Sequence, residues 1–373
     1  MKKDSRIYVA GHKGLVGSAI LRKLKERGHS RLLFADSKEL DLMSFEQTER
    51  FFRQTRPEYV FLAAAKVGGI LSNHTERADF IYENLQVQNN VISRCHVHGV
   101  KKLLFPASSC VYPKDCPQPI REDDLMTGPL EYTNEPYAVA KIAGLKMCES
   151  YNLQYGADFI TVMPTNLFGI HDTYDLEKSH VLPALLRKTH LARCLEEDRW
   201  EALRADLDKR PIKGVSGKSP RADILSVLEK FGVRRPGKAA SITLWGTGKP
   251  FREFMLSDDL ADACLHIMNH VDFHDIVRAF SRTDASGDIH EVKNPHINIG
   301  TGKDISIFDL AHMIKKIVGL RGEIRWDPSY PDGMPRKRLD ISRLKKLGWT
   351  PSTNLEKDIR AVYGHYASPA PAL

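Results

Sequence analysis

The sequence has few cysteines and no long hydrophobic run, and both shortages limit the classes of protein it can belong to. Its six cysteines form no CxxC pair, which argues against a disulfide framework and a zinc site and favours a reducing compartment. The longest apolar stretches, such as 59–65 and 102–107, are too short to cross a bilayer. The opening Met-Lys-Lys-Asp leads directly into a predicted strand rather than a cleavable leader. A cytoplasmic protein with no metal and no membrane partner is therefore expected.

The chain also lacks a concentrated patch of one charge. Its formal net charge is +8, but lysine and arginine are interleaved with aspartate and glutamate. A mixed, solvated surface is the simpler interpretation. Because there is no basic platform with interleaved aromatics and no recognition-helix pattern, a nucleic-acid partner is not expected. The excess positive charge better suits a diphosphate.

Apolar runs alternate with helical periodicities through the first half of the chain. Strands are predicted at 6–10, 31–35, 59–63, 102–106 and 158–163, and helices at 15–26, 45–55, 80–99 and 137–155. The strand segments are almost continuously apolar, as strands buried on both faces are. This order predicts an α/β fold with a Rossmann-type doubly wound parallel sheet.

Past Pro164 the pattern loosens, and a length of 373 residues predicts a second, smaller α/β domain. Helices joined by a polar loop are predicted over 182–232, followed by a strand at 241–245, and strand-then-helix patterns return at 251–269 and 297–316. We therefore predict the following division: a Rossmann domain at 1–165, re-entered near 253–272 and 296–316, and a smaller domain at 166–252 and 317–373.

A glycine-rich loop follows the first predicted strand directly and has GxxGxxG spacing. It comprises Gly11, His12, Lys13, Gly14, Leu15, Val16 and Gly17. Glycines allow the sharp turn, the close approach to a diphosphate and the packing of the next helix, whose amino terminus favours negative charge. Glycine-rich turns also arise by chance, so the position between strand and helix carries the prediction of a dinucleotide site.

The end of the second strand has conflicting signals for the coenzyme. Asp36 is typical of an NAD site, whereas Lys13 and Lys38 favour the phosphate of NADP. The two lysines favour NADP, and Asp36 leaves NAD open. The neighbouring Ser37 and the pair Asp41 and Leu42 fit segments beside the adenosine, although ordinary packing at a strand end explains the latter equally well.

Tyr137 and Lys141 stand four residues apart at the start of a predicted helix, so both lie on one face. Reduction of a carbonyl needs a hydride on carbon and a proton on oxygen. A nearby ammonium favours the phenolate and so makes a tyrosine a better acid. Taken alone, such a pair is more often a half-buried tyrosine with a solvated lysine. The upstream glycine loop favours the catalytic interpretation.

Ser108, Ser109 and Cys110 follow the strand that ends at Pro106. They therefore lie at the carboxyl end of the sheet, where ligands bind in doubly wound folds. A serine hydroxyl there is suited to binding the substrate oxygen beside Tyr137. A serine that caps a turn is an equal alternative.

With these features, the sequence resembles the extended short-chain dehydrogenase/reductases, and within them the GDP-L-fucose synthase family. The matching stretches run in order along nearly the whole chain: GHKGLVGSAI, LAAAKVGGI, KLLFPASSCVYPK, TNEPYAVAKIAGLKMCESYN, VMPTNLFG, SHVLPALLRK, LWGTGKPFREF, INIGTG and PDGMPRKRLD. The resemblance implies an NADP(H)-dependent enzyme that epimerises GDP-4-keto-6-deoxy-D-mannose at C3 and C5 and reduces it at C4, giving GDP-L-fucose.

The resemblance also assigns roles to single residues. Cys110 matches the base and His180 the acid of the epimerisation, which precedes reduction because the C4 ketone acidifies the neighbouring hydrogens. Tyr137 protonates the C4 oxygen, Ser108 assists and Lys141 lowers the pKa of the phenol. Without the resemblance, Cys110 is more simply a core thiol and His180 a surface or helix-entry residue.

The remaining matches concern the two ligands. Those beside the coenzyme, besides the glycine loop, are Ser37, Lys38, Asp41, Leu42, Pro106, Ala107, Ser108, Ser109, Lys141, Pro164, Thr165, Asn166, Leu167 and His180. Those on the GDP-sugar are Lys188, Trp245, Arg252 and Asp332. Arg252 suits a diphosphate, since a guanidinium donates two parallel hydrogen bonds. Trp245 as a core residue and Asp332 as a turn residue remain alternatives.

The sequence departs from the family in two respects. Only Lys13 and Lys38 stand for the arginine-rich phosphate site, and segments near 192–240 and 270–293 are longer than in compact members. The resemblance implies a homodimer through helices near 80–99 and 137–155. An enzyme acting on another GDP-4-keto-sugar, such as a dideoxy sugar or a heptose, is the nearest alternative. A non-catalytic dinucleotide sensor is disfavoured by the joint presence of the five catalytic candidates.

Overall fold

Strands and helices alternate through the first half of the computed structural model, which describes residues 1–283, 289–330 and 332–368. They are β1 (Ile7–Ala10), α1 (Leu15–Glu26), β2 (Leu32–Leu33), α2 (Phe45–Thr55), β3 (Tyr59–Leu62), α3 (Ile70–Thr75), α4 (Arg77–Val97), β4 (Lys102–Pro106), α5 (Glu135–Tyr155) and β5 (Phe159–Pro164).

The second half begins with a helix-rich segment and ends in short strands and helices. Its elements are β6 (Asn166–Phe168), α6 (Val181–Glu196), α7 (Trp200–Lys209), α8 (Arg221–Lys230), β7 (Val233–Arg234), β8 (Ser241–Trp245), β9 (Phe251–Leu256), α9 (Ser257–His270), α10 (Phe273–Phe280), β10 (Arg282–Thr283), β11 (Ile289–Glu291), β12 (Ile297–Ile299), β13 (Asp304–Ser306), α11 (Ile307–Val318), β14 (Glu323–Asp327), β15 (Arg336–Lys337), α12 (Ser342–Lys346) and α13 (Leu355–Ala367).

A six-stranded parallel sheet organises the first half, in the order β12-β5-β4-β3-β1-β2. Along β1, Ile7 and Val9 belong to the core that includes α1 and α9, whereas Tyr8 and Ala10 belong to the core on the opposite face with α2 and α4. Burial on both faces explains the continuous apolar runs. The predicted Rossmann-type doubly wound parallel sheet is confirmed.

Two predicted elements differ most in extent from the structure. The strand predicted at 31–35 is reduced to β2, because this edge strand pairs only with β1 and Phe34 is already exposed. The helix predicted at 80–99 begins earlier, at Arg77, and α3 precedes it.

Three smaller sheets form beside the main one in the described residues. One contains β13, β9 and β15, with β6 also paired to β9, another contains β14, β8 and β7, and the third pairs β10 with β11. β12 returns to the main sheet by pairing with β5, while α11 packs on α6 and α13 in a separate core. The predicted division into domains remains a prediction. Of the segment near 270–293, residues 284–288 lie outside the described residues.

The helices joined by a polar loop that were predicted over 182–232 are α6, α7 and α8, and the last two lie in the segment near 192–240. A buried ion pair attaches it to α6, since Arg187 Nε lies 3.0 Å from Asp206 Oδ1 with both side chains almost inaccessible. The Tyr366 hydroxyl donates to the same carboxylate, and the Arg187 guanidinium also donates to the Tyr174 carbonyl at 2.9 Å. These partners satisfy the buried charges, and breaking such a pair is costly. The segment is therefore fixed to the helix that begins beside His180.

Candidate active site

The glycine loop closes tightly between β1 and α1. Gly11 has a φ of +77°, and a Cβ there would lie 2.7 Å from the backbone nitrogen of Ala64. A Cβ at Gly17 would lie 2.1 Å from the Gly11 carbonyl oxygen. Gly14 precedes α1 and supplies no side-chain cap, so the first-turn N–H groups of this helix are suited to a diphosphate.

The coenzyme candidates at the end of β2 form a charged group. Lys13 Nζ lies 2.8 Å and His12 Nε2 3.4 Å from Asp36 Oδ1. The hydrogen bond from Lys13 lowers the pKa of Asp36. Ser37, Lys38 and Asp41 are exposed, and Leu42 is half-buried. The two residues that gave conflicting coenzyme signals are therefore in direct contact. The Asp36 carboxylate is paired with the Lys13 ammonium, the group that favours an NADP phosphate.

Tyr137 and Lys141 lie one turn apart on α5, which has Pro136 in its first turn. Lys141 is only 2% exposed, and its Nζ donates to the Pro106 carbonyl at 3.4 Å and lies 5.8 Å from the centre of the Tyr137 ring. The solvated-lysine alternative is therefore wrong. Burial lowers the pKa of Lys141 to about 8.

Burial raises the pKa of Tyr137, and the nearby Cys110 raises it further. The net direction is opposite to the lowering that was expected from Lys141. The physical reason is that both side chains are removed from water, and desolvation is the largest influence on the pKa of each. Tyr137 is consequently a protonated donor, the form that is needed to deliver a proton to a developing oxyanion.

Ser108 and Cys110 lie at the carboxyl end of β4, next to Tyr137 and Lys141. The Ser108 hydroxyl oxygen accepts from the Cys110 N–H at 3.3 Å, which starts a short 3₁₀ turn. Cys110 is half-buried, whereas Pro106, Ala107 and Ser109 are buried. Desolvation raises the pKa of Cys110, and the positive charge of Lys337 is the first influence opposing that rise. The core-thiol alternative for Cys110 does not fit this position.

His180 precedes α6 and is exposed. The Gly69 N–H donates to the Lys178 carbonyl at 2.7 Å, which ties this segment to the loop that follows β3. Desolvation lowers the pKa of His180, and the positive charge of Lys337 lowers it further. The charge of Lys337 therefore lowers the pKa of the predicted acid and opposes the rise in the pKa of the predicted base.

Pro164, Thr165, Asn166 and Leu167 continue from β5 into β6. The Thr165 N–H donates to the Ile299 carbonyl at 2.9 Å, and Asn166 Nδ2 donates to the Glu253 carbonyl at 2.9 Å. Asn166 is half-buried. This segment therefore joins the main sheet to β9, with the Asn166 amide held at the junction.

The predicted GDP-sugar residues divide into a buried and an exposed part. Lys188 is buried, its Nζ donates to the Thr243 carbonyl at 3.1 Å, and burial lowers its pKa to about 8. Asp332 is exposed, and its carboxylate accepts at 2.6 Å from both the N–H and the hydroxyl of Thr247. Arg252 is half-buried; desolvation lowers its pKa and Asp332 opposes this.

Trp245 is 53% exposed, so its alternative as a core residue is wrong. Its ring stacks on Tyr330 with centroids 4.5 Å apart and an angle of 8° between the planes. Tyr330 and Lys337 are not among the residues predicted from the sequence. Lys337 lies in the same matching stretch as Asp332, PDGMPRKRLD.

No group of three or more His, Cys, Asp or Glu side chains in the described residues is arranged to hold a metal ion. Within the same residues, no helix is both long and apolar enough to span a membrane.

Comparison with known proteins gives a family and its members. Residues 7–208 and 214–281 match the NAD dependent epimerase/dehydratase family. GDP-L-fucose synthase 1 of Arabidopsis thaliana is 44% identical over 364 residues, covering 98% of this chain and 94% of the relative. GDP-L-fucose synthase of Escherichia coli is 42% identical over 358 residues, covering 96% and 95%. A GDP-D-glycero-L-gluco-heptose synthase from Campylobacter jejuni, solved in the presence of NADPH, is 41% identical with a TM-score of 0.87, covering 99% and 100%.

Proposed function

Since the chain belongs to the NAD dependent epimerase/dehydratase family, we propose that it converts GDP-4-keto-6-deoxy-D-mannose to GDP-L-fucose with NADPH. The observation that carries the proposal is the grouping of Ser108, Cys110, Tyr137 and Lys141 at the carboxyl end of β4 and the start of α5. Relatives named GDP-L-fucose synthase match almost the whole chain at 42% and 44% identity. We place the reaction in the cytoplasm, as the cysteine pattern predicts.

In the first half of the reaction, we assign the Cys110 thiolate as the base that removes a proton from the carbon beside the C4 ketone. The resulting enolate receives a proton on its opposite face from His180, which inverts the configuration. Both side chains are accessible, being half-buried and exposed respectively. The same pair acts at C3 and at C5, because the ketone acidifies both positions.

In the second half, Tyr137 donates its proton to the C4 oxygen while Ser108 holds that oxygen by a hydrogen bond. NADPH supplies the hydride when bound. The glycine loop fits its diphosphate, because a Cβ at Gly11 or Gly17 would collide with backbone. We assign Lys141 to the coenzyme ribose, and its position beside the Pro106 carbonyl holds it against the sheet edge.

A second group of side chains, on α6, β8, β9 and the loop after β14, has the chemistry to bind a nucleoside diphosphate. We assign the Arg252 guanidinium to the diphosphate, Trp245 to the base, and Lys188 and Asp332 to further polar contacts. Trp245 offers an exposed aromatic face that is already stacked on Tyr330. Trp245 ends β8, Arg252 is on β9 and Asp332 follows β14, while Lys188 on α6 reaches β8 through its hydrogen bond to the Thr243 carbonyl.

The test is to supply purified protein with NADPH and GDP-4-keto-6-deoxy-D-mannose, to follow the loss of reduced-nicotinamide absorbance, and to identify the product by NMR. GDP-L-fucose is expected. The identity of 41% to the heptose synthase makes a GDP-4-keto-heptose the proper competitor. If the heptose is reduced and the hexose is left untouched, the chemistry stands and the proposed substrate is wrong.

We also propose that Asp36 weakens the preference for NADPH. It is bonded to Lys13 at 2.8 Å and carries the charge that repels a ribose phosphate. Asp36→Asn frees the lysine and removes that repulsion, so NADPH is expected to bind about fivefold more tightly while NADH binds more weakly. Fluorescence titration of both coenzymes measures this, with Glu46→Gln, an exposed carboxylate on α2, as the control. Equal changes for the two coenzymes would contradict the assignment.

We propose further that two chains associate through α4 and α5. These helices pack on each other and still expose large apolar side chains, namely Tyr82, Val97, Val139, Leu153 and Tyr155. Apolar exposure grouped on adjacent helices is typical of an interface. The double variant Tyr82→Glu/Leu153→Glu is expected to halve the mass measured by light scattering.

Leu225→Glu on α8 is the control for this experiment, since Leu225 is an exposed apolar residue away from that surface. Its mass is expected to equal that of the wild type. A wild-type protein of monomer mass, or a double variant that remains dimeric, would refute the interface.

A further inference from the structure

The turn after β14 folds back over the end of β8. β14 and β8 pair in parallel, with Asp327 opposite Trp245 in the register. Asp327 fixes the turn, because its carboxylate accepts from the N–H of Ser329 at 3.1 Å and from the Ser329 hydroxyl at 2.6 Å, while its carbonyl accepts from the Gly246 N–H at 2.9 Å. The N–H of Tyr330 donates to the same carbonyl at 3.4 Å. The turn therefore places Tyr330 beside Trp245.

A second attachment holds the same two loops together. The Asp332 carboxylate accepts from the N–H and from the hydroxyl of Thr247, both at 2.6 Å. A Cβ at Gly246, whose φ is +77°, would lie 2.3 Å from Asp332 Oδ1, so the loops approach as closely as a glycine permits. A Cβ at Gly333 would lie 3.6 Å from a terminal nitrogen of the Arg252 guanidinium. The loop after β14 therefore also runs beside the side chain assigned to the diphosphate.

The rings of Trp245 and Tyr330 are almost parallel, and both reach solvent. Their centroids are 4.5 Å apart, the angle between the planes is 8°, and the residues remain 53% and 42% exposed. Since Tyr330 covers one face of the indole, the exposed area of Trp245 comes from its other face and its edges. A nucleobase is a flat partner that stacks well on such a face. The neighbouring Arg252 supplies the positive charge for the diphosphate that the base carries.

We propose that Tyr330 is a positioning residue for the nucleobase, whose ring holds the indole of Trp245 in place so that the free face of the indole receives the guanine. The inference rests on the proposed function, because it concerns the base of the GDP-sugar. A tryptophan at the end of a strand otherwise turns about its side-chain bonds and has to be immobilised when the base binds. The stack fixes the indole beforehand and removes that cost. Tyr330 therefore affects the affinity for the nucleotide and not the chemical step.

The test is calorimetric titration of the wild type and its variants with GDP and, separately, with inorganic diphosphate. Tyr330→Leu keeps an apolar side chain but removes the ring, and GDP is expected to bind about fivefold more weakly. Inorganic diphosphate has no base, so its affinity is expected to stay the same. A loop that had merely lost its structure would weaken both, because it runs beside Arg252. Tyr330→Phe is expected to restore the affinity for GDP, since the ring rather than the hydroxyl forms the stack.

Tyr155→Leu is the matched control, because Tyr155 is also 54% exposed and stacks on His96 with centroids 4.3 Å apart, at the carboxyl end of α5. It is expected to bind GDP as the wild type does. Three results would overturn the inference alone: equal GDP affinity in the wild type and Tyr330→Leu, equal losses for GDP and inorganic diphosphate, or no recovery in Tyr330→Phe. A wild type that binds no GDP would overturn the proposed function as well.

Discussion

Replacing Tyr137 with Phe is expected to lower the rate of NADPH oxidation about 1,000-fold, because the proton donor for the C4 oxygen is lost. The substitution removes one hydroxyl from a half-buried ring. The ring itself, which packs edge-to-face on Phe80 with ring centroids 6.2 Å apart, is kept, so the fold is preserved. Stopped-flow absorbance under single-turnover conditions measures the hydride step directly. NADPH affinity is expected to stay near that of the wild type.

The matched control is Tyr155→Phe, at the other end of the same helix, where the side chain is 54% exposed. It is expected to react at the wild-type rate. If Tyr137→Phe also loses coenzyme binding, the hydroxyl serves binding rather than proton transfer. If it keeps full activity, another group supplies the proton.

Replacing Cys110 with Ala is expected to suppress epimerisation about 1,000-fold, since no other thiol lies at the end of β4. The measurement is deuterium incorporation at C3 and C5 of the keto-sugar in D₂O, observed by NMR without NADPH. With NADPH added, the expected product is reduced but not epimerised, or no product forms. Separating exchange from reduction distinguishes a lost base from a damaged site.

Cys116→Ser is the control for this second substitution, because its thiol is half-buried and also feels the Lys337 charge. It is expected to exchange deuterium at the wild-type rate. Continued exchange in Cys110→Ala would assign the base to a different residue, with His180 the first to be examined.

The main sheet was predictable because its physics is local. A strand buried on both faces must be apolar at every position, as Ile7, Tyr8, Val9 and Ala10 are, so the run itself reveals the strand. The glycine loop was predictable for a similar reason, since only glycine fits at Gly11 and Gly17. In both cases a few neighbouring residues contain the whole signal.

The site was less predictable, because its substrate half depends on contacts between distant segments. β15 has only two residues and no apolar pattern, and the position of Lys337 is set by pairing with β9. Tyr330 likewise is recognised as part of the site only from its stacking on Trp245 in the structure. The pKa direction at Tyr137 was also misjudged, because burial of both Tyr137 and Lys141 cannot be inferred from their spacing.

Glu253 connects the loop after β12, the segment after β15 and the start of β6. Its buried carboxylate accepts from the N–H groups of Thr301, Gly302 and Leu339, while its carbonyl accepts from Asn166. Each donor left without a partner would cost about 1–3 kcal/mol. In evolutionary terms, Glu253 and Gly300 are constrained together, because the carboxylate holds the backbones of these loops and a Cβ at Gly300 would collide with it.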